Sequence, residues 1–556
     1  MVSLKTWLSI PSHIPTNWHM TCLYKVELVN EVSEKNMIEE NVMQVRVIKV
    51  QFSLLLIMWG AFMLLNGCEN SLLDSDVMTQ ETKAGDRGGS NEYSSNSDGL
   101  FIGGDDYYPG SERHGELTYN GFIMADEDNL STFGIDVDAG SYTFGRKKIN
   151  EGIIPAPSSV RVEEYINYFH QDYPAPDSEP FSVNVDGAPS PFRGESLHLL
   201  RIGLKGQEVS SEAVPWNLTF LIDISGSMRS RLDLVKESLY ILVDNMRLGD
   251  QVSICTYAGS VGTVLNPTDL QENDAAAIKA IIAELESGGS TAMASGLQNA
   301  YNVNSSGFLD GGVNRVIVCS DGDANVGSTT HEGILEFIGE HVDQGITLST
   351  LGFGSGNYND NLMEQLADQG NGNYYYIDTI DEAERLFTEE LSGVMEVIAK
   401  DVKIQVEFNA ASVLRYRLIG YENRDIEDEQ FENDSTDAGD IGAGHRVTAL
   451  YELELVQGGA DNLGVVHLRY KTPEGAFDIP FDVPISRNDL ADSFSQASDR
   501  FRFTVGVAEY AEIIRESPYV ETSLPTVEAL IASSLTGSDD RDTELLELIR
   551  LLQTIE

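Results

Sequence analysis

At 556 residues the chain is too long for one hydrophobic core, since single cores stop growing near about 250 residues, so several domains are expected. Its 89 acidic against 36 basic residues give a formal net charge of -53, a surface that repels phosphate backbones and anionic headgroups and excludes nucleic acid as a partner. The four cysteines, Cys22, Cys68, Cys255 and Cys319, form no CxxC pair and no cluster at zinc spacing, which excludes a disulfide framework and a zinc module.

Residues 1–42 are unlike any targeting segment and read as an upstream extension ahead of Met43. Arg46 and Lys49 then lead into the uncharged apolar run 52–65, which is short for a membrane span of about 20 residues. It ends in Leu65-Asn66-Gly67-Cys68, which resembles a bacterial lipoprotein signal with Cys68 as the acylated residue. That resemblance implies an outer-membrane lipoprotein of the bacterial cell envelope, facing the periplasm or the cell surface and touching the membrane through its lipid anchor only. Residues 69–129, rich in Gly, Ser, Asn and Asp, read as a flexible acidic tether.

Order is expected to return at 130–212, an N-terminal flanking α+β region with a strand over 133–137, a helical stretch over 142–150, a break at Pro155-Ala156-Pro157, a further ordered stretch over 160–169, and strands over 181–185 and 197–204. Across 213–400 strands and helices alternate, the pattern of right-handed βαβ units in a mainly parallel, doubly wound sheet. Its strands are expected at 218–222, 252–257, 262–265, 316–319, 346–353 and 373–377. Its helices are expected at 232–246, 275–285, 333–342, 361–369 and, last, 382–400. Residues 401–490 alternate with period two and predict an antiparallel sheet or sandwich. The tail 491–556 predicts helices at 499–515, 526–533 and 542–555. The fold class is therefore α/β, a doubly wound domain inserted in or flanked by an antiparallel β-sandwich, with a C-terminal helical segment.

The first strand of the alternating region runs into Asp223-Ile224-Ser225-Gly226-Ser227, a carboxylate and two hydroxyls on one turn at a strand's carboxyl end. Alone this spacing is weak, because these are common turn residues. Two further elements strengthen it: Gly288-Gly289-Ser290-Thr291 opens a helix, and the fourth strand ends in Ser320-Asp321-Gly322-Asp323. With strand order 3-2-1-4-5-6, strands one and four are neighbours and a crevice opens between their carboxyl ends.

Here the chain resembles the von Willebrand factor type A domains, whose metal site is Asp-x-Ser-x-Ser with a distant Thr and a distant Asp. By that resemblance Asp223, Ser225, Ser227, Thr291 and Asp321 are the metal residues, the hydroxyls meeting the ion directly or through water and the carboxylates supplying charge. Oxygen donors favour Mg²⁺, with Ca²⁺ or Mn²⁺ as alternatives. The resemblance implies binding of a protein partner that donates a Glu or Asp carboxylate, in adhesion or scaffolding, rather than catalysis. The stretches 132–138, 161–169, 199–204 and 442–451 extend the likeness to bacterial A-domain lipoproteins with dedicated flanking regions, often labelled after calcium-activated chloride channels. One long apolar run, already assigned to the signal, does not support a pore.

Two alternatives from other classes are a metal-dependent hydrolase using the same ion and a regulatory subunit of an ATPase. The second conflicts with the signal, and no Ser-His-Asp or Gly-x-Ser-x-Gly arrangement appears. Cys255 and Cys319 are placed on strands either side of the first, roughly 9.6 Å apart, beyond disulfide reach. His445 reads as structural, and the acidic loop 424–440 reads as solvated rather than as a calcium loop.

Overall fold

The structure is a computed structural model that describes residues 117–555, apart from 177–178, 195, 209–213, 272–273, 291, 323–330, 355–357, 434–435, 437, 474, 476–477 and 538. Residues 1–68, Cys68 included, and most of the expected tether lie outside it. The tether reading ends too late at its carboxyl side. Ile123–Met124 pairs antiparallel with Val413–Ile419, the Tyr119 hydroxyl donates to the Arg515 carbonyl at 2.6 Å, and Ala125 is buried. A few aromatic and apolar side chains within a Gly- and Asp-rich stretch suffice to dock it.

The alternating region forms one six-stranded sheet ordered Tyr374–Tyr376, Ile346–Gly352, Val313–Ser320, Trp216–Asp223, Gln251–Tyr257 and Val261–Asp269. All pairs are parallel except the last, where Val261–Asp269 runs antiparallel as an edge strand containing Pro267. Numbered along the chain this is the expected order 3-2-1-4-5-6. The first strand is buried at every position, as a central parallel strand covered on both faces must be. Leu232–Asn245 closes one face through Leu232, Val235, Leu239 and Leu242, at helical spacing. Met293–Ser306 closes the other through Met293, Leu297 and Ala300. Cys255 lies opposite Leu221 and Cys319 opposite Ile222, and these neighbours on one strand point to opposite faces, so the two thiols are free and separated by the sheet.

The last expected helix, 382–400, is corrected. Helical structure runs Ile380–Glu384, passes through a π-turn at Arg385–Glu389, and ends with Leu391–Met395. Val397 already belongs to the twelve-residue strand Val397–Phe408. Its alternating apolar residues, Ala399, Val402, Ile404, Val406 and Phe408, face a β core, and that burial overrides continuation of the helix.

Two antiparallel sheets flank this domain. One is ordered Ile123–Met124, Val413–Ile419, Arg446–Leu455, Leu197–Gly206 and Phe181–Pro189. The other is ordered Ile441–Gly442, Val397–Phe408, Asn462–Lys471 and Asp478–Ser486, with Leu130–Gly134 also on Val397–Phe408. Leu200, Ile202, Val447 and Tyr451 of the first share one core with Ile404, Val406, Val466 and Leu468 of the second. Leu197–Gly206 precedes the α/β domain and Arg446–Leu455 follows it, yet they pair along their length, so the domain is inserted into the sandwich sequence. The tail helices Asp499–Ile514, Leu524–Ser534 and Asp540–Ile555 share a core with Tyr142, Tyr165 and Phe169 of the flanking helices and with Leu199 and Leu450 of the first sheet.

The inserted domain meets its support through a carboxylate-rich junction. Arg161 pairs with Glu164, with Asp360 at 2.7 Å and with Glu364 at 3.3 Å, while Arg424 pairs with Asp368 at 2.8 Å, Asp136 at 3.4 Å and Asp138 at 3.6 Å. Six acids thus share two guanidinium groups. Burial raises Glu164 to about 8 and Glu364 to about 7 against the pull of Arg161, and raises Asp138 and Asp368 as well. A folded-state pKa above the unfolded one gives stability that is full below about pH 4.5 and is lost as pH rises through 7 and 8. Between pH 5 and 9 we expect the melting temperature to fall, by an amount equivalent to a few kcal/mol at about 1.4 kcal/mol per pKa unit. Thermal melts of Glu164→Gln should show a flatter profile; an unchanged slope would rule out this junction as its source.

Within 424–440, Asp425, Glu427 and Glu429 are exposed, but Arg424 is drawn into the junction. Burial lowers His445 to about 4, and its Nδ1 has no hydrogen-bond partner.

Candidate metal site

Asp223, Ser225 and Ser227 sit where the central strand ends. Asp223 closes the strand and is fully buried, Ser225 is buried, and Ser227 is exposed at the start of a short 3₁₀ turn. The Asp223 carboxylate turns back on its own loop, its Oδ1 accepting from the Ser225 backbone N–H at 2.8 Å. Its Oδ2 accepts from Ser320 Oγ at 3.1 Å, and Ser320 Oγ in turn accepts from the Gly322 N–H at 3.0 Å. Asp321, buried between those two residues, is thereby fixed beside the Asp223 turn.

The Gly-rich loop arrives from the other side. Gly288 N–H donates to the Ile224 carbonyl at 2.7 Å, and Gly226 N–H donates to the Gly289 carbonyl at 3.2 Å. Gly289 has φ +98, and a Cβ there would stand 2.9 Å from Gly259 N, so only glycine fits this approach. Thr291 itself, and Asp323, lie outside the described residues. The structure thus brings Asp223, Ser225, Ser227 and Asp321 together and delivers the loop leading to Thr291.

Burial, with Asp321 adding repulsion against the hydrogen bonds from Ser225 and Ser320, pushes the Asp223 carboxyl up to about 6. Burial and the same two carboxylates hold the Tyr257 phenol well above its ordinary value. Two acids in a low-dielectric pocket favour whatever neutralises them, a proton or a cation. Ser225 Oγ and Ser227 Oγ stand 2.9 Å apart. Adjacent ligands of an octahedral ion at 2.0–2.1 Å are separated by about 2.9 Å, so the hydroxyl pair has the spacing of two neighbouring Mg²⁺ ligands. The two serine hydroxyls hydrogen-bond to each other, and the Ser225 side chain also bonds the Asp223 carboxylate, so both hydroxyls are gathered at the Asp223 turn. Among the described residues no three His, Cys, Asp or Glu side chains gather into a metal-binding group, so an ion here would rest on hydroxyls as much as on carboxylates.

Sequence reasoning missed Ser320. Its signal was present in Ser320-Asp321-Gly322: a hydroxyl on the last residue of strand four faces the last residue of strand one, its parallel neighbour.

Over 475 residues the chain is 37% identical to the Uncharacterized protein YfbK of Escherichia coli (strain K12), covering 80% of this chain and 81% of that protein. The chain belongs to the YfbK family. The family model Uncharacterized protein YfbK, C-terminal, matches residues 393–461 and 455–556, the sandwich strands that follow the inserted domain and the helical tail. The model von Willebrand factor type A domain matches 217–389, and the model von Willebrand factor matches 109–201. The inserted unit is therefore a von Willebrand factor type A domain, a protein-interaction fold. Inter-alpha-trypsin inhibitor heavy chain H3 of Homo sapiens is 31% identical over 171 residues, 29% of this chain and only 18% of that protein. Among solved structures, a von Willebrand factor type A protein from Catenulispora acidiphila aligns with a TM-score of 0.41 at 18% identity, over 67% of this chain and 90% of that one.

Proposed function

We propose that this protein binds a protein partner through a divalent cation at the Asp223 turn. Ser225, Ser227 and Thr291 would hold the ion with their hydroxyls, directly or through water, and Asp223 and Asp321 would supply the neutralising charge. Mg²⁺ is the first choice, with Ca²⁺ and Mn²⁺ as alternatives, because the donors are all hard oxygens. Such a donor set leaves the ion short of charge, so a Glu or Asp carboxylate of the partner is the natural last ligand. The observation that carries this reading is the 2.9 Å hydroxyl pair beside two buried carboxylates at the carboxyl edge of the sheet.

The setting we propose is the bacterial cell envelope, with the chain anchored by a lipid on Cys68 and reaching its partner in adhesion or scaffolding. Among the described residues no helix is long and apolar enough to cross a membrane. The test is capture of envelope proteins on the immobilised chain in Mg²⁺, with elution by chelator. Proteins that elute specifically in chelator, and fail to bind again until Mg²⁺ is restored, support the reading; capture indifferent to chelator overturns it.

A further inference from the structure

We infer that the N-terminal flanking region is part of this site, with Phe144 and Arg161 as positioning residues for Asp321. This rests on the metal reading above and extends it outside the inserted domain.

Two routes join the flank to Asp321. The first starts at Gly322, whose φ of +69 lets its backbone press on Asn359; a Cβ there would stand 2.8 Å from Asn359 N and 2.9 Å from Asn359 O. Asn359 caps the helix Asp360–Gln369, its side chain accepting from Leu362 N–H at 3.3 Å. Asp360, the first residue of that helix, is 1% exposed and is held from two sides. Its Oδ1 accepts from the Tyr374 hydroxyl at 2.6 Å and its Oδ2 from Arg161 Nη1 at 2.7 Å. Arg161 belongs to the flank, immediately before the helix Val162–Tyr168.

The second route starts at Gly354, where a Cβ would stand 2.9 Å from Asp321 Cβ. The Gly354 carbonyl accepts from the Tyr376 hydroxyl, and Tyr376 and Tyr358 pack with ring centroids 5.0 Å apart. Phe144, from the flanking helix Gly140–Asn150, packs against both, 5.4 Å from Tyr376 and 5.7 Å from Tyr358. It completes a separate small core whose other members, Tyr358, Met363, Ala367, Tyr374 and Tyr376, all belong to the inserted domain. Thr143 Oγ1 adds a hydrogen bond to the Tyr376 carbonyl at 2.7 Å.

Both routes end on backbone in van der Waals contact with the Asp321 loop, and close-packed interiors transmit displacement rather than absorb it. A site of this kind tolerates misplacement of roughly 0.5 Å. Loss of Phe144 opens a cavity under Tyr358 and Tyr376, and loss of Arg161 leaves the carboxylate of Asp360, the residue next to the Asn359 cap, held by Tyr374 but without its guanidinium partner. By reciprocity, a cation that settles Asp321 must strengthen the contact between flank and domain by the same factor.

The experiment uses the whole folded chain and Mn²⁺ alone as the probe, with free Mn²⁺ read by electron paramagnetic resonance below the melting range of every variant. Phe144→Ala and Arg161→Ala are expected to weaken Mn²⁺ binding on the order of 10-fold, the usual scale for groups that support metal ligands, with Arg161→Lys between them and the unmodified chain. Saturating Mn²⁺ is expected to slow amide exchange across 142–169 in the unmodified chain and to leave it unchanged in Asp321→Ala, a response that a purely structural role for the flank would not give. Should Phe144→Ala fail to fold, Arg161→Ala and Arg161→Lys carry the test. Affinities within twofold of the unmodified chain, while Asp321→Ala is weakened, overturn this inference and leave the metal reading standing. Equal Mn²⁺ binding by Asp321→Ala, Asp223→Ala and the unmodified chain overturns the metal reading instead.

Discussion

Changing Asp223 to asparagine is expected to remove cation-dependent partner capture, lowering affinity on the order of 100-fold, while the melting temperature holds or rises. The two halves have one cause. Burial raises the Asp223 carboxyl to about 6, so near neutral pH the metal-free chain holds a charge in surroundings that resist it, at about 1.4 kcal/mol for each pKa unit. Asparagine keeps the shape and an oxygen for the Ser225 N–H or for Ser320 Oγ, and gives up the charge that an ion needs. Function should therefore fall where stability does not. Paired measurements decide it: Mg²⁺-dependent capture and a thermal melt in chelator. Undiminished capture would place the ion elsewhere, and a melting temperature lowered by many degrees would make any loss of capture structural.

The second large effect lies away from the site. Arg417, 1% exposed, pairs through Nε with Glu452 at 2.6 Å and through Nη2 with Glu512 at 3.1 Å. Glu452 also meets Arg193, and Arg515 lies 3.7 Å from Glu512. This network joins the sheet strands Val413–Ile419 and Arg446–Leu455 to the tail helix Asp499–Ile514. Arg417→Ala leaves two buried carboxylates short of a counter-charge and is expected to cost about 3–5 kcal/mol. Urea unfolding followed by circular dichroism measures it. Arg417→Met combined with Glu512→Gln should cost distinctly less than Arg417→Ala alone, because both charges leave together. Equal costs for the two variants would show that the Glu512 charge left without Arg417 is not what destabilises Arg417→Ala.

The parts legible from sequence are those with a local signature. Central strands read as mainly apolar runs, the helix with Leu232, Val235, Leu239 and Leu242 showed its face by spacing, and the Asp223 turn is five consecutive residues. What was not legible depends on partners distant in the chain. Val397 to Lys400 continue a helical stretch in sequence, but pairing with Ile441–Gly442 and Asn462–Lys471 makes them strand. Tyr119 to Ala125 look like the end of a tether until the carbonyl of Arg515 and the edge of Val413–Ile419 are available to them. The junction acids followed the same rule: Asp136 and Asp138 lie in the flank, whereas Asp360, Glu364 and Asp368 lie more than two hundred residues on.

The pairing of Leu197–Gly206 with Arg446–Leu455 sets an order of assembly. Leu204 lies opposite Val447, about 240 residues later, so at about 5–20 residues per second a ribosome needs roughly 10–50 s to deliver the partner strand. During that interval the strands Phe181–Pro189 and Leu197–Gly206 are available only to each other, with apolar edges bare. The stretch Trp216 to Met395 already contains all six strands of its sheet and can close meanwhile. The nascent chain thus presents a finished middle between two unfinished ends, and a chaperone that shields Phe181 to Gly206 until Leu455 emerges would serve it at its most vulnerable moment.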